Sequence, residues 1–115
     1  MKKDDSVFLR HILDAIHQVN GYLSGVTHDQ FLQQKIVQDA VVRQLEIIGE
    51  AANNLSVDLR EMHPEVTWGQ IIGMRNRLIH AYFQVDLDIV WEVAGIDLPA
   101  LKERVEDMLE ELGTT

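Results

Sequence analysis

The sequence predicts an all-α protein, an antiparallel bundle of four to five helices. Three observations predict it. Apolar residues recur at intervals of three and four along most of the chain. No stretch alternates apolar with polar residues between turn signals, as a half-buried strand would. Prolines are confined to Pro64 and Pro99, so the links are short and neighbouring helices pack antiparallel.

The first helix is expected from about Asp5 to Ser24, with Phe8, Ile12, Ile16, Val19 and Leu23 on one stripe and Gly25 as its stop signal. A second opens at Thr27-His-Asp-Gln30, a capping-box pattern. It is expected to run to Asn53-Asn54, burying Phe31, Leu32, Ile36, Ala40, Val42, Leu45, Ile48 and Ala52. Gly49 within it is either a point of close helix approach or a weak point. Residues 55–66 read as a connector with one short helical turn at Val57–Met62. Thr67-Trp-Gly-Gln70 repeats the capping pattern and starts a third helix that carries RNRLIHAYF, residues 75–83. Asp86 caps a fourth segment with Leu87, Val90, Trp91 and Ala94. Asp97-Leu-Pro-Ala restarts the chain, Pro99 suiting a first helical turn. The last apolar face is Leu101, Val105, Met108, Leu109 and Leu112.

A length of 115 residues with 46% apolar content suits one domain over 1–115, small enough that self-association is no surprise. There is no cysteine, which fits a reducing cytosol and rules out thiolate metal sites. MKKDDSVFLRH lacks the apolar core of a signal peptide, and no apolar run reaches the roughly 18 residues of a bilayer span. A soluble, cytoplasmic protein with no membrane partner is the expectation. The net charge is −9, and residues 86–112 hold nine acids against two bases. That balance excludes broad, non-specific nucleic-acid binding but not a small local basic site.

RNRLIHAYF is where polar groups intrude on an apolar pattern. With Trp68 at zero and ~100° per residue, Met74, Leu78, Ile71, Tyr82, Ile79, Ile72 and Phe83 form one continuous arc, and Arg75 falls near its middle at about 340°. Asn76 lies at the edge near 80°, His80 near 120° and Arg77 near 180°, toward the polar side (roughly). An arginine on a buried face requires a partner. Two readings stay open: an internal ion pair with Glu46 or Glu50, or a phosphate met at a cleft or dimer seam. Arg77 is either a second phosphate contact or a solvated charge. Asn76 and His80 are i,i+4 neighbours. Arg75 and His80 are about 140° apart on a regular helix and cannot converge there. Convergence demands that the helix loosen near His80, or that two copies meet across a two-fold axis. No metal-ligand spacing such as HExxH occurs, so neither metal nor cofactor is expected.

Arg75-Asn76-Arg77-Leu78-Ile79-His80 resembles the R-x(4–6)-H motif of HEPN-domain ribonucleases. Ala81-Tyr82 extends it to R-x4-H-x-Y, which resembles HepT-type toxins. LEIIGEAA (45–52), WGQIIGMRNRLIHAYF (68–83), DLDIVWEV (86–93) and DLPALKERV (97–105) are similar to the same family, so the likeness covers most of the chain. The resemblance implies a HEPN-like homodimeric bundle with two motif copies in one cleft. It also implies metal-independent endoribonuclease activity on RNA, tRNA being the family's suggestion, with a 2′,3′-cyclic phosphate product. It would make His80 the acid/base, Arg75 the phosphate holder, and Asn76 and Arg77 supports. A minimal nucleotidyltransferase antitoxin would silence the toxin by AMPylating Tyr82. The competing expectation is a non-catalytic acidic helical module that docks a partner protein, Arg75 being a structural ion pair.

Overall fold

The computed structural model describes residues 4–80 and 84–113. Helix α1 (Asp5–Leu23) starts where the Asp4 side chain accepts from the Ser6 amide and ends before Gly25, whose φ of 73° is left-handed. The Ser6 hydroxyl and then the Ser6 amide, both donating to Asp4, hold its carboxyl below the usual range. Leu9, Ile12, Ala15, Ile16 and Val19 face the core, with Phe8 and Leu23 packed at its margin, close to the stripe the sequence predicts.

The capping box at Thr27 and Gln30 forms as expected and opens α2 (His28–Gln33). The single long helix expected from there does not. The backbone leaves the helical region at Gln34, with φ −116° and ψ 87°, and resumes as α3 (Lys35–Asn53). That interruption rephases the face. Ile36 is 85% exposed and Leu32 is also exposed, whereas Gln38 and Val41 turn inward. Gln38 is tolerated inside because its amide donates at 2.9 Å to the Phe31 carbonyl, which also accepts from the Gln34 amide at the end of α2.

α1 packs chiefly on α3 and also on α8 (Leu98–Glu111). The α1–α3 pair is antiparallel, because Asp5 at the start of α1 reaches the chain just past the end of α3. Its carboxylate accepts from the Ser56 amide at 2.8 Å and the Ser56 hydroxyl at 2.7 Å. Ser56 in turn caps α4 (Val57–Met62), the short turn expected in the connector.

Beyond Pro64 the chain forms α5 (Trp68–Ile72) and, past Gly73, α6 (Met74–Leu78). Thr67 precedes α5 but makes no side-chain cap, so the second capping box is not formed. The Trp68 indole instead donates to the His63 carbonyl at 3.0 Å. The His63 ring, 11% exposed, lies between Glu65 at 3.1 Å and Glu111 of α8 at 3.2 Å. Glu65 is held below the ordinary carboxylate range, first by its own backbone amide and then by His63.

Two-residue strands β1 (Ile79–His80) and β2 (Gln84–Val85) then pair antiparallel, Ile79 opposite Val85 and His80 opposite Gln84. Asp86 caps α7 (Leu87–Glu92) as expected, accepting from the Asp88 and Ile89 amides. His28 stacks on Trp91 at 5.1 Å and approaches Asp88 at 3.2 Å, fixing α2 against α7. The chain does not restart at Asp97. A π-helical stretch, Val93–Asp97, carries α7 into α8, with Pro99 in the first turn. Where four to five helices are expected, the described residues thus form eight α-helical segments, because the interruptions at Gln34, Gly73 and Val93–Asp97 divide longer runs. The all-α class stands, the two short strands being a local hairpin. Among the described residues no helix is long and apolar enough to cross a membrane.

Candidate active site

The segment carrying Arg75 is not one helix. Gly73 has ψ 21°, far from the helical value near −42°, and this turns the residues after it relative to α5. Met74 and Leu78 enter the core at 2% and 0% exposure. Arg75, expected in the middle of the apolar arc, is exposed. A continuous arc requires an unbroken helix, and the helix breaks at Gly73 and ends at Leu78. Ile79 has φ −94° and ψ 121°, although its amide still donates to the Arg75 carbonyl. The chain is therefore extended at Ile79–His80. Of the two conditions for bringing Arg75 and His80 together, a helix that loosens near His80 is present within one chain.

The hairpin is anchored at its base. Leu78 is fully buried, and its carbonyl accepts from the Asp86 amide at 2.8 Å, beside the cap of α7. The backbone of His80 is thus placed by a core residue on one side and a helix cap on the other. Ala81, Tyr82 and Phe83 lie outside the described residues, so the Tyr82 expected as a modification site does too.

Arg75 stands at a recess of about 180 Å³ between α3 and the α5–α6 break, with Glu46, Glu50, Asn53, Ile72 and Met74. The close approach depends on Gly49. A methyl group there would come within 2.8 Å of the Ile71 carbonyl oxygen and 3.3 Å of the Met74 side chain. Gly49 is therefore a contact point and not a weak one. Glu46 and Glu50 share the recess with Arg75, yet among the described residues no carboxylate lies within 4.0 Å of the guanidinium.

Arg77 has a different neighbourhood. Its guanidinium donates to Asp97 at 2.6 Å, both side chains about one-third exposed. The pair borders a larger recess, about 320 Å³, with Gln70, Ile71, Ile96 and Leu101. Met74 lines both recesses and separates them. Asn76, between the two arginines, is exposed. The ion pair expected of Arg75 is thus found two residues on, at Arg77. No feature of the sequence marked Asp97 as its partner, because the π-helical stretch that presents Asp97 has no sequence signature. The pairings of His28 with Asp88 and of His63 with Glu111 were equally invisible, since each joins residues far apart in sequence. Among the described residues no three His, Asp or Glu side chains are grouped to hold a metal.

An exposed arginine with no carboxylate within 4.0 Å among the described residues is chemically suited to a phosphodiester. A family model described as "Ribonuclease HepT-like" matches residues 12–108. The chain is 44% identical over 112 residues to a "Gamma-glutamylcyclotransferase and putative RNase" of Methanocaldococcus jannaschii, covering 97% of this chain and 50% of that protein. It spans about half of that relative's length but nearly all of the next two. It is 39% identical to a "Probable ribonuclease HepT" of Thermococcus cleftensis, covering 94% and 98% of the two chains. It is 38% identical to a "Putative RNase" of Methanocaldococcus jannaschii, covering 91% and 96%. No solved structure matches it significantly.

Proposed function

The chain belongs to the ribonuclease HepT-like family, and from that premise we propose that it is a metal-independent endoribonuclease acting on RNA with Arg75 and His80. The observation that carries this reading is the state of Arg75: exposed, at a recess, and without a carboxylate within 4.0 Å among the described residues. A guanidinium left unpaired beside two glutamates is available to an anion from outside.

The reaction needs no group beyond the chain and the RNA. A base removes the proton of a ribose 2′-hydroxyl, and that oxygen attacks the adjacent phosphorus. The bond from phosphorus to the 5′-oxygen breaks, and an acid protonates the leaving oxygen. The products are a 2′,3′-cyclic phosphate and a free 5′-hydroxyl. His80 supplies the proton-transfer group, a role for which an imidazole is the usual side chain. Arg75 holds the non-bridging oxygens as charge develops on them. Asn76 orients one of these groups. Arg77, paired with Asp97, supports the helix that carries Arg75. A homodimer with two motif copies in one cleft would supply one imidazole as base and the other as acid. On this reading the chain is a toxin. A nucleotidyltransferase antitoxin silences it by transferring AMP to Tyr82, placing a bulky anion at the end of the motif.

The test is expression of wild type, Arg75→Ala and His80→Ala without a partner, followed by mapping of RNA ends. Wild type should arrest growth and leave 2′,3′-cyclic phosphate ends, and both variants should do neither. A folded wild-type protein that cuts no RNA would sink the reading and leave the acidic docking module in its place.

A further inference from the structure

The recess beside Arg75 has more in it than a phosphate contact requires. Along α3, Glu46, Glu50 and Asn53 are spaced four and three apart, so they rise on one face. Between them Gly49 is buried without a side chain, and Ile72 and Met74 lie opposite. The result is a cleft with an apolar floor, a cation on one side and carboxylates on the other. Glu46 is half-buried, and among the described residues its carboxylate has neither a hydrogen-bond donor nor an ion-pair partner. An arginine in the same recess does not engage it.

A ligand that matches this cleft must be anionic at one end, flat and apolar in the middle, and rich in adjacent donors at the other. A nucleotide in single-stranded RNA has the first two features, and its base edge decides the third. Guanine presents N1–H and the N2 amino group side by side, a two-donor edge that fits the two oxygens of one carboxylate. Adenine and cytosine place a ring nitrogen acceptor beside their single amino donor, which a carboxylate repels. Uracil places its one N–H between two carbonyl acceptors. We propose that this recess is a guanine subsite in which Glu46 reads the base edge while Arg75 holds an adjoining phosphate. Glu50 and Asn53 border the same pocket, and Ile72, partly exposed, contacts the base plane over buried Gly49 and Met74. This makes Glu46 a specificity-determining residue. The inference rests on the ribonuclease reading for its biological setting, but base preference in binding stands apart from cleavage.

The experiment uses full-length His80→Ala protein, so that RNA is not consumed, and fluorescence anisotropy with oligouridylates carrying one central guanosine, inosine, adenosine or cytidine. Guanosine should bind about 10-fold more tightly than adenosine, the discrimination a bidentate base contact gives. Inosine, which lacks the N2 amino group, should fall between them. Glu46→Gln in the same background should abolish the guanosine preference, because its amide presents one donor and one acceptor, which match adenine's edge. Arg75→Ala should weaken all four oligonucleotides alike. Equal affinities for guanosine and adenosine, no binding of any oligonucleotide, or a preference that survives Glu46→Gln would each overturn the proposal. The inosine comparison needs no variant at position 46 and so does not depend on how that variant folds. Wild-type cleavage separates the two readings. Cutting without guanosine preference removes the subsite and keeps the ribonuclease. Guanosine-selective binding without cutting does the reverse.

Discussion

The α-carbon of Gly49 faces the Ile71 carbonyl so closely that a methyl group on it would stand 2.8 Å from the oxygen. This contact sets the spacing between α3 and the α5–α6 break, and with it the width of the recess that holds Arg75. Gly49→Ala is therefore expected to destabilise the protein by about 1–3 kcal/mol through overpacking. Helix propensity alone predicts the opposite sign, a gain of about 1 kcal/mol. A urea midpoint that rises in the variant would show that the two helices can part without cost.

Arg75 and Arg77 should separate cleanly in a stability measurement. Arg75→Ala is expected to change the unfolding free energy by less than about 0.5 kcal/mol, because an exposed side chain with no carboxylate partner among the described residues has little to lose. Its cost should appear in RNA cleavage, falling on the order of 100-fold or more, as when a donor to a developing oxyanion is removed. A large stability loss on Arg75→Ala would return that residue to a structural role.

Arg77→Ala and Asp97→Ala should each destabilise. The two side chains are about one-third exposed, so solvent screens the pair and a double-mutant cycle should return a coupling of about 0.5–1 kcal/mol. A coupling near zero would mean that the 2.6 Å contact contributes position without net energy.

Acid should loosen the connector around His63. Glu65 titrates below its ordinary range because its own backbone amide and then His63 favour the ionised form. A lowered folded-state value means that the group adds stability above the ordinary carboxylate range, and that this stability is lost as pH falls through the folded value. Unfolding curves from pH 6 to pH 3 should therefore be flatter for Glu65→Gln than for wild type. Parallel curves would show that Glu65 contributes nothing to acid sensitivity.

Ser56 joins two elements: it caps α4 and donates twice to Asp5 at the start of α1. Ser56→Ala loses the cap and one of the two bonds to Asp5, for an expected cost of about 1–2 kcal/mol. A denaturant midpoint unchanged within error would mean that water replaces both contacts.

What the sequence determined by itself was everything carried by local pattern. The period of Ile12, Ile16 and Val19 made α1 and its buried face. The capping box at Thr27 and the cap at Asp86 marked two helix starts, and Val57–Met62 marked the short turn between. The R-x4-H-x-Y spacing led to the family. What only the tertiary structure decided was the phase of those elements and their long-range partners. Gln34 and Gly73 each shift the backbone by a single residue, enough to expose Ile36, admit Gln38 and swing Arg75 out of the core. Helical periodicity assumes an unbroken 100° step, and a break of one residue resets it with no trace in composition. The pairs Arg77–Asp97, His63–Glu111 and Asp5–Ser56 are separated by 20, 48 and 51 positions in the chain. Their formation depends on where packing brings two helices, which no local rule encodes. The convergence that a regular helix over RNRLIHAYF forbids is geometrically open because α6 ends at Leu78, before His80, where the Leu78 carbonyl is taken by the Asp86 amide.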